Sequence, residues 1–204
     1  MLTAIRASVL LGGLFLCLPA AAETNELALA LGLRGGGGLE VENSPESPDL
    51  DATASLALIY NRGLGPDTAV TVFWSHQSTE ISAPGAFNDS NAFEIDLDYL
   101  QAGTVYRPDR AGAAEGFVQV TAGLTWYRPG RSGFGDEYAF SLSGGGGGQF
   151  RLGQHFALRL EARILATITR VSFAGQCVSG ACTFFVSGSG ALQFEGLGAL
   201  VYRF

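Results

Sequence analysis

The sequence predicts an all-β protein, an eight-stranded antiparallel up-and-down barrel, and three observations lead to this fold class. Apolar residues alternate with small or polar residues along most of the chain, which is the period of strands with two different faces. Glycine provides 29 of the 204 residues, and glycine costs about 0.5–1 kcal/mol relative to alanine inside a helix. The connections alternate in length, which is typical of a meander whose two ends face different environments.

The first four predicted strands each have one alternating apolar face. Leucine occupies every odd position from 27 to 33 in the first strand. The fourth strand alternates acidic and apolar residues up to Tyr99 and then loses the pattern, which predicts a bulge or an exit from the apolar zone. The four apolar faces cover Leu27–Leu33, Leu56–Tyr60, Val70–Trp74 and Phe93–Tyr99, within predicted strands 26–34, 51–62, 68–81 and 92–107.

The other four predicted strands follow the same rule. Five consecutive glycines, Gly144–Gly148, lie inside the sixth strand, and a flexible linker is the alternative interpretation. The apolar residues keep the same parity on both sides of the glycines, which favours a strand with bare backbone. The four apolar faces include Val118–Trp126, Tyr138–Leu152, Phe156–Ile168 and Leu200–Phe204, within predicted strands 117–128, 138–152, 155–171 and 184–204.

Residues 1–22 are predicted to be a cleaved signal peptide, and residues 23–204 the barrel domain. Arg6 supplies a positive charge, an apolar run follows, and three alanines ending at Ala22 provide the small residues of a cleavage site. The apolar run is shorter than the roughly 20 residues that a spanning helix needs. A lipoprotein anchor at Cys17 is the alternative, which the bulky leucine before it disfavours.

The apolar face of the barrel is predicted to contact lipid and the polar face to line the lumen, so the barrel is transmembrane. Stripes of about 9–11 residues are long enough to cross a hydrocarbon layer when tilted. Aromatic residues such as Trp74, Trp126 and Tyr202 lie near stripe ends, where an interfacial girdle is expected. The polar face is rich in small residues, whereas a solvated exterior normally carries lysine and glutamate. A soluble lipocalin-like barrel with its apolar face inward is the alternative.

The charged residues of the polar face are predicted to form a network that plugs the lumen. The interior of an eight-stranded barrel has room only for side chains, so arginine and carboxylate groups that enter it are expected to pair. The predicted network consists of Glu94, Asp96, Asp98, Arg159, Glu161, Arg163 and Glu195. Separately hydrated charges are one alternative, and a narrow channel for small molecules is another.

Cys177 and Cys182 are predicted to form a disulfide, because an exported chain with an even pair of cysteines meets an oxidising compartment. The bond would close a short loop and contribute about 2 kcal/mol. Two free thiols are the alternative. The nearest histidine, His155, lies on another segment, so neither a metal site nor a cofactor is predicted.

Two motifs resemble those of OmpA-like and opacity-type outer-membrane barrels. Leu200, Tyr202 and Phe204 are similar to the terminal assembly signal, in which alternate apolar residues end in aromatic ones. Gly144–Gly148 and the later Leu158–Arg163 are similar to the sixth and seventh strands. The resemblance implies a monomeric outer-membrane protein of a Gram-negative bacterium with a structural or surface-interaction role. Its implied partners are outer-membrane lipids, lipopolysaccharide and, during biogenesis, the barrel-assembly machinery.

An enzyme that modifies lipid A is the alternative function. His76 and Ser78 have the His-x-Ser spacing of outer-membrane lipid A deacylases, although Thr79 stands where that family usually has asparagine. Both side chains have the parity of the apolar face and are expected to point outward near the outer rim. Glu80 or Glu94 would orient the histidine there. The parity of Glu94, however, predicts that its side chain points to the opposite face. No further catalytic motif is found, so a non-enzymatic protein is predicted. A net charge of −7 without a basic cluster disfavours a nucleic-acid partner.

Overall fold

The computed structural model describes residues 25–36, 49–50, 52–82, 92–108, 112, 114–129, 136–178 and 181–204, and the predicted signal peptide lies outside them. Nine strands form from these residues. They are β1 (Asn25–Gly35), β2 (Asp49–Leu50), β3 (Thr53–Gly63), β4 (Thr68–Ser82), β5 (Ala92–Tyr106), β6 (Ala114–Pro129), β7 (Glu137–Arg151), β8 (Phe156–Val178) and β9 (Ala181–Arg203). The described residues contain no apolar helix long enough to cross a membrane.

Eight of the strands close an antiparallel up-and-down barrel, which confirms the predicted fold class. Each long strand pairs with the long strands before and after it in the chain. The first strand completes the cylinder, because β1 pairs with β3 on one side and with β9 on the other. The two-residue strand β2 extends the wall beside β4, where Leu50 lies opposite Ile81.

The two ends of the barrel differ in their connections. At one end Asn25 and Phe204 exchange two backbone hydrogen bonds of 3.0 Å, and the short connections 64–67 and 152–155 lie there too. We call this the turn end. The opposite end, which we call the loop end, carries the connections that follow β1, β4, β6 and β8.

Strands β8 and β9 are longer than the sequence predicted. Their antiparallel ladder continues to Val178 opposite Ala181, so Cys177 and Cys182, which lie outside the predicted strands 155–171 and 184–204, belong to paired strands. The backbone of Cys177 lies directly opposite that of Cys182 in this ladder. The side chains of both cysteines lie outside those that the structure describes, and the disulfide stays a prediction.

Side chains alternate between the lumen and the outer surface, and most of the large apolar ones face outward. On β1, Leu27, Leu29, Leu31 and Leu33 are exposed, whereas the intervening alanines are buried. The same outward apolar face continues around the cylinder, with Val120 66 % and Leu160 61 % exposed. A soluble barrel has the opposite polarity, because its apolar face forms the core.

The loop-end half of β5 breaks this rule and contradicts the predicted orientation of three acids. Glu94 is exposed on the outer surface and Asp96 and Asp98 are half-buried there, while the apolar residues between them point inward. The ladders with β4 and β6 continue without a bulge past Leu100, where the outward positions become apolar again. The alternation changes because the strand leaves the outward apolar belt, not because its register shifts.

The glycine run of β7 is paired strand, in agreement with its parity. Gly147 lies opposite Glu161, and a methyl group added to Gly147 would overlap the carbonyl oxygen of Leu160. At Gly148 the nearest atom to an added methyl group is a ring carbon of Phe150, 3.7 Å away. The two strands therefore approach so closely at Gly147 that only glycine fits.

We expect Gly147→Ala to lower the free energy of unfolding by about 1–3 kcal/mol, because the added methyl group must displace backbone. Gly148→Ala is the matched control and is expected to leave stability almost unchanged. Urea titrations of both variants in lipid vesicles, followed by tryptophan fluorescence, measure the difference. Equal stability of the two variants would contradict the close approach of the strands.

Candidate functional site

A central ion cluster occupies the middle of the lumen. Arg159, Glu161 and Arg163 stand at alternate positions of β8, so all three side chains point inward. Arg159 Nη2 lies 2.8 Å from Glu161 Oε2, and Arg163 Nη2 lies 2.6 Å from Glu161 Oε1. One buried carboxylate therefore holds two buried guanidinium groups, one on each oxygen.

Side chains from two other strands surround the central cluster. Gln119 of β6 accepts a hydrogen bond of 3.1 Å from Arg159 and donates one to the glutamate carboxylate. The Arg159 guanidinium lies 3.8 Å from the ring centre of Phe117, and that of Arg163 lies 3.6 Å from the ring centre of Phe73. Both guanidinium groups are almost completely buried, so these cation–π contacts add to the ion pairs.

A second ion pair lies between the central cluster and the loop end. Arg34 Nη2 is 2.6 Å from Glu195 Oε1, and both side chains are completely buried. Arg34 also donates to Ser75 and lies 4.6 Å from the ring centre of Tyr99, whose hydroxyl donates to Gln193 at 2.6 Å. Glu195 belongs to the predicted lumenal network, whereas its partner Arg34 does not.

A third group of charges lies toward the turn end, and none of its members belongs to the predicted network. Glu26 accepts from Arg107 and, at 3.0 Å, from Arg203 Nε. Arg203 also lies 3.3 Å from Glu115, which pairs in addition with Arg151. The sequence contains a signal for this group, because each of its residues has the inward parity of its strand or lies directly at a strand end.

Paired charges therefore lie at three levels of the lumen. Four arginines and four glutamates are buried among the described residues. Ionised groups inside a barrel are stable when each one has partners of opposite charge, and here the pairs also join strands that are distant in sequence. Within the part of the chain that the structure describes, no group of three His, Cys, Asp or Glu residues is placed to hold a metal ion.

A second polar group lies on the outer surface near the loop end. His76 and Ser78 of β4 face outward, as their parity predicts, and the ladder places them opposite Asp98 and Asp96 of β5. His76 Nδ1 is 3.0 Å from Asp98 Oδ1, and Ser78 Oγ is 3.5 Å from His76 Nε2 and 2.5 Å from Asp96 Oδ1. Arg128 of β6 pairs with Asp98. We call these five residues the rim cluster.

The structure thus divides the predicted lumenal network into two sites. Arg159, Glu161, Arg163 and Glu195 are in the lumen, whereas the acids of β5 are on the outer face. Glu94 lies opposite Glu80 in the β4–β5 ladder, so both are on the outer surface. Neither of them contacts the histidine among the described interactions; Asp98 does, because the register of the two strands places it opposite His76.

Comparison with solved structures shows which fold this barrel has. OprG from Pseudomonas aeruginosa aligns with a TM-score of 0.61 at 10% identity, over 89% of this chain and 95% of that chain. Neisserial surface protein A aligns with a TM-score of 0.55 at 12% identity, over 90% of this chain and 98% of that chain. AlkL aligns with a TM-score of 0.51 at 14% identity, over 92% and 95%.

These similarities establish the fold, a closed eight-stranded barrel like those of outer-membrane proteins. No family model matches the chain, and no curated protein sequence matches it either.

Proposed function

We propose that this protein is an integral outer-membrane barrel with a plugged lumen and a structural or surface-interaction role. The central ion cluster carries the proposal, because Glu161 and its two arginines are buried across the middle of the lumen. The Arg34–Glu195 pair lies on the loop-end side of it and the Glu26 group on the turn-end side. A lumen filled in this way leaves the outer surface and the loops to contact other molecules.

The outward apolar belt supports a position in the membrane. Exposed leucines and valines cover the barrel wall on every long strand, and an apolar surface of this extent is unfavourable in water. AlkL, which shares the fold, was solved in lipid bilayers, and OprG is an outer-membrane protein. In this setting the turn end faces the periplasm and the loop end faces the cell exterior, where outer-membrane lipids and lipopolysaccharide surround the belt and rim.

The turn end of β9 supports recognition by the barrel-assembly machinery. Leu200, Tyr202 and Phe204 are exposed along its outer face. The Tyr202 ring stacks with the rings of His155 and Phe204, with centroid distances of 6.2 Å and 5.8 Å, and so forms part of an aromatic girdle. A monomer is proposed because barrel closure pairs both edges of the sheet and leaves neither for another chain.

Planar-bilayer recordings on protein purified from the outer-membrane fraction test the plug. We expect no steady conductance from the wild type and channel openings from the Arg159→Ala/Arg163→Ala double variant, because the centre of its lumen loses both guanidinium groups. Arg128→Ala removes an arginine from the outer surface and is expected to stay closed. A wild type that conducts, or a folded double variant as closed as the wild type, would refute the plug.

A further inference from the structure

The rim cluster contains the three groups of a serine hydrolase in bonding order. Ser78 Oγ is 3.5 Å from His76 Nε2, and the other ring nitrogen is 3.0 Å from Asp98 Oδ1. A nucleophile hydrogen-bonded to a base, which is in turn hydrogen-bonded to an orienting carboxylate, defines serine hydrolase sites on unrelated folds. The order of these residues in the sequence differs from fold to fold. We propose that Ser78, His76 and Asp98 form a catalytic site that hydrolyses the acyl esters of membrane lipids.

The charges around His76 favour the tautomer that this reaction needs. An ionised carboxylate only accepts hydrogen bonds, so Asp98 Oδ1 holds the hydrogen on Nδ1 and leaves Nε2 as an acceptor facing Ser78. Arg128 pairs with the second oxygen of Asp98. The carboxylate is therefore held from both sides, and the imidazole it orients is free to take the serine proton.

The Ser78 hydroxyl has two acceptors within reach. It donates to Asp96 Oδ1 at 2.5 Å, while His76 Nε2 lies at 3.5 Å. Rotation about the Cβ–Oγ bond transfers the hydrogen from one acceptor to the other without movement of any heavy atom. Catalytic hydrogen bonds of this kind are often long without substrate and shorten when it binds. Asp96 therefore holds the hydroxyl until substrate occupies the site.

The position of the rim cluster selects the substrate class, and this step rests on the proposed membrane location. Trp74 on β4, Leu100 on β5 and Trp126 on β6 are the last outward apolar residues, and the next outward positions belong to the rim cluster. The rings of Trp74 and His76 stack with centroids 6.5 Å apart. Three adjacent strands thus change from apolar to polar within one residue pair of each other, because Trp74 lies opposite Leu100 and Trp126 lies opposite Asp98. In a bilayer this is the boundary between hydrocarbon and headgroups, where the acyl esters of lipids lie.

The reaction proceeds through an acyl-enzyme. Ser78 Oγ bonds to the ester carbonyl carbon while its proton moves to His76 Nε2, and the tetrahedral intermediate breaks the bond to the lipid alcohol, which leaves with that proton. Water then attacks the acyl-serine and gives its proton to His76. The bond to Ser78 breaks, the serine recovers the proton and the fatty acid leaves.

Covalent labelling and ester hydrolysis test the site on the whole protein in detergent micelles. We expect a fluorophosphonate to add one adduct to the wild type, losing fluoride as the phosphorus bonds to Ser78, and none to Ser78→Ala. Hydrolysis of p-nitrophenyl palmitate is expected to fall at least about a hundredfold in Ser78→Ala and His76→Ala. Glu80→Gln, on the same face of β4, is the control and keeps the wild-type rate.

The role of Asp98 as a positioning residue has its own measurement. Asp98→Asn is expected to lower kcat strongly while KM stays the same, because the amide no longer fixes the histidine tautomer. Asp98→Glu restores part of kcat because it returns the carboxylate. An equal loss in both variants would argue against this role.

Lipid substrates separate the possible sources of the ester. Phosphatidylethanolamine vesicles and purified lipopolysaccharide are incubated separately with the wild type, and mass spectrometry measures the fatty acid released. Release from either lipid supports the site and identifies its substrate.

A folded wild type that takes no adduct and hydrolyses no ester overturns the proposal, as does Ser78→Ala with wild-type activity. The substituted residues lie outside the lumen, so failure here leaves the proposed plug intact, and a conducting wild type leaves the rim cluster intact.

Discussion

Replacing Glu161 by alanine is expected to destabilise the barrel by about 3–5 kcal/mol, because two buried guanidinium groups lose their shared carboxylate. Arg159 and Arg163 each bind one oxygen of Glu161, and all three side chains are almost completely buried. Two like charges then remain in the lumen without compensation. The cost of an unpaired buried charge is much larger than the net contribution of the original ion pair.

Urea titration in lipid vesicles measures this effect, and two further variants identify its cause. Glu94→Ala removes an exposed acid from the outer surface and is expected to change stability by less than about 0.5 kcal/mol. The triple variant Arg159→Met/Glu161→Leu/Arg163→Met removes the whole cluster, and we expect it to regain most of the lost stability. Wild-type stability of Glu161→Ala would show that water reaches the lumen and compensates the two arginines.

Leu31→Arg is expected to destabilise the barrel in lipid by about 2–4 kcal/mol, because it places a charge on the outward apolar belt. Leu31 is 69 % exposed and lies between Leu56 and Gly198 in the neighbouring strands. Its side chain contacts mainly what surrounds the barrel, so the loss measures the environment rather than internal packing.

Leu64→Arg is the matched control for this experiment. Leu64 is also an exposed leucine, but it lies in the connection 64–67 at the turn end, outside the belt. Its replacement is expected to change the free energy of unfolding by less than about 0.5 kcal/mol. Equal small losses in both variants would show that the belt does not contact hydrocarbon, which would contradict the membrane location.

Residues of the candidate site could be predicted to different degrees. The inward direction of Arg159, Glu161 and Arg163 follows from their parity with the outward leucines of β8, and the structure brings them together. The outward direction of His76 and Ser78 also follows from parity. Parity predicts the direction of a side chain but not the residue with which it pairs. Arg34 and Glu195 are 161 residues apart in sequence and meet because closure of the barrel makes their strands neighbours.

The acids of β5 show where alternation becomes insufficient. A period of two separates a strand into two faces but does not say which one is inside. The apolar face of β5 is predicted to lie on the exterior, as on the other strands. In the structure that face, with Leu97 and Tyr99, packs inside, because this half of the strand lies at the rim, beyond the apolar belt.

The amino-acid sequence by itself determined the eight long strands of the barrel and their order, because alternation and turn residues are local properties of the chain; the two-residue strand β2 was not predicted. The sequence also indicated an apolar exterior, through the length of the apolar stripes, the aromatic residues near stripe ends and the small residues of the polar face. Only the tertiary structure decided the register between strands, the inward face of β5 and the pairing of His76 with Asp98. Register depends on how many residues each connection uses, and the level of a residue relative to the apolar belt depends on the assembled cylinder.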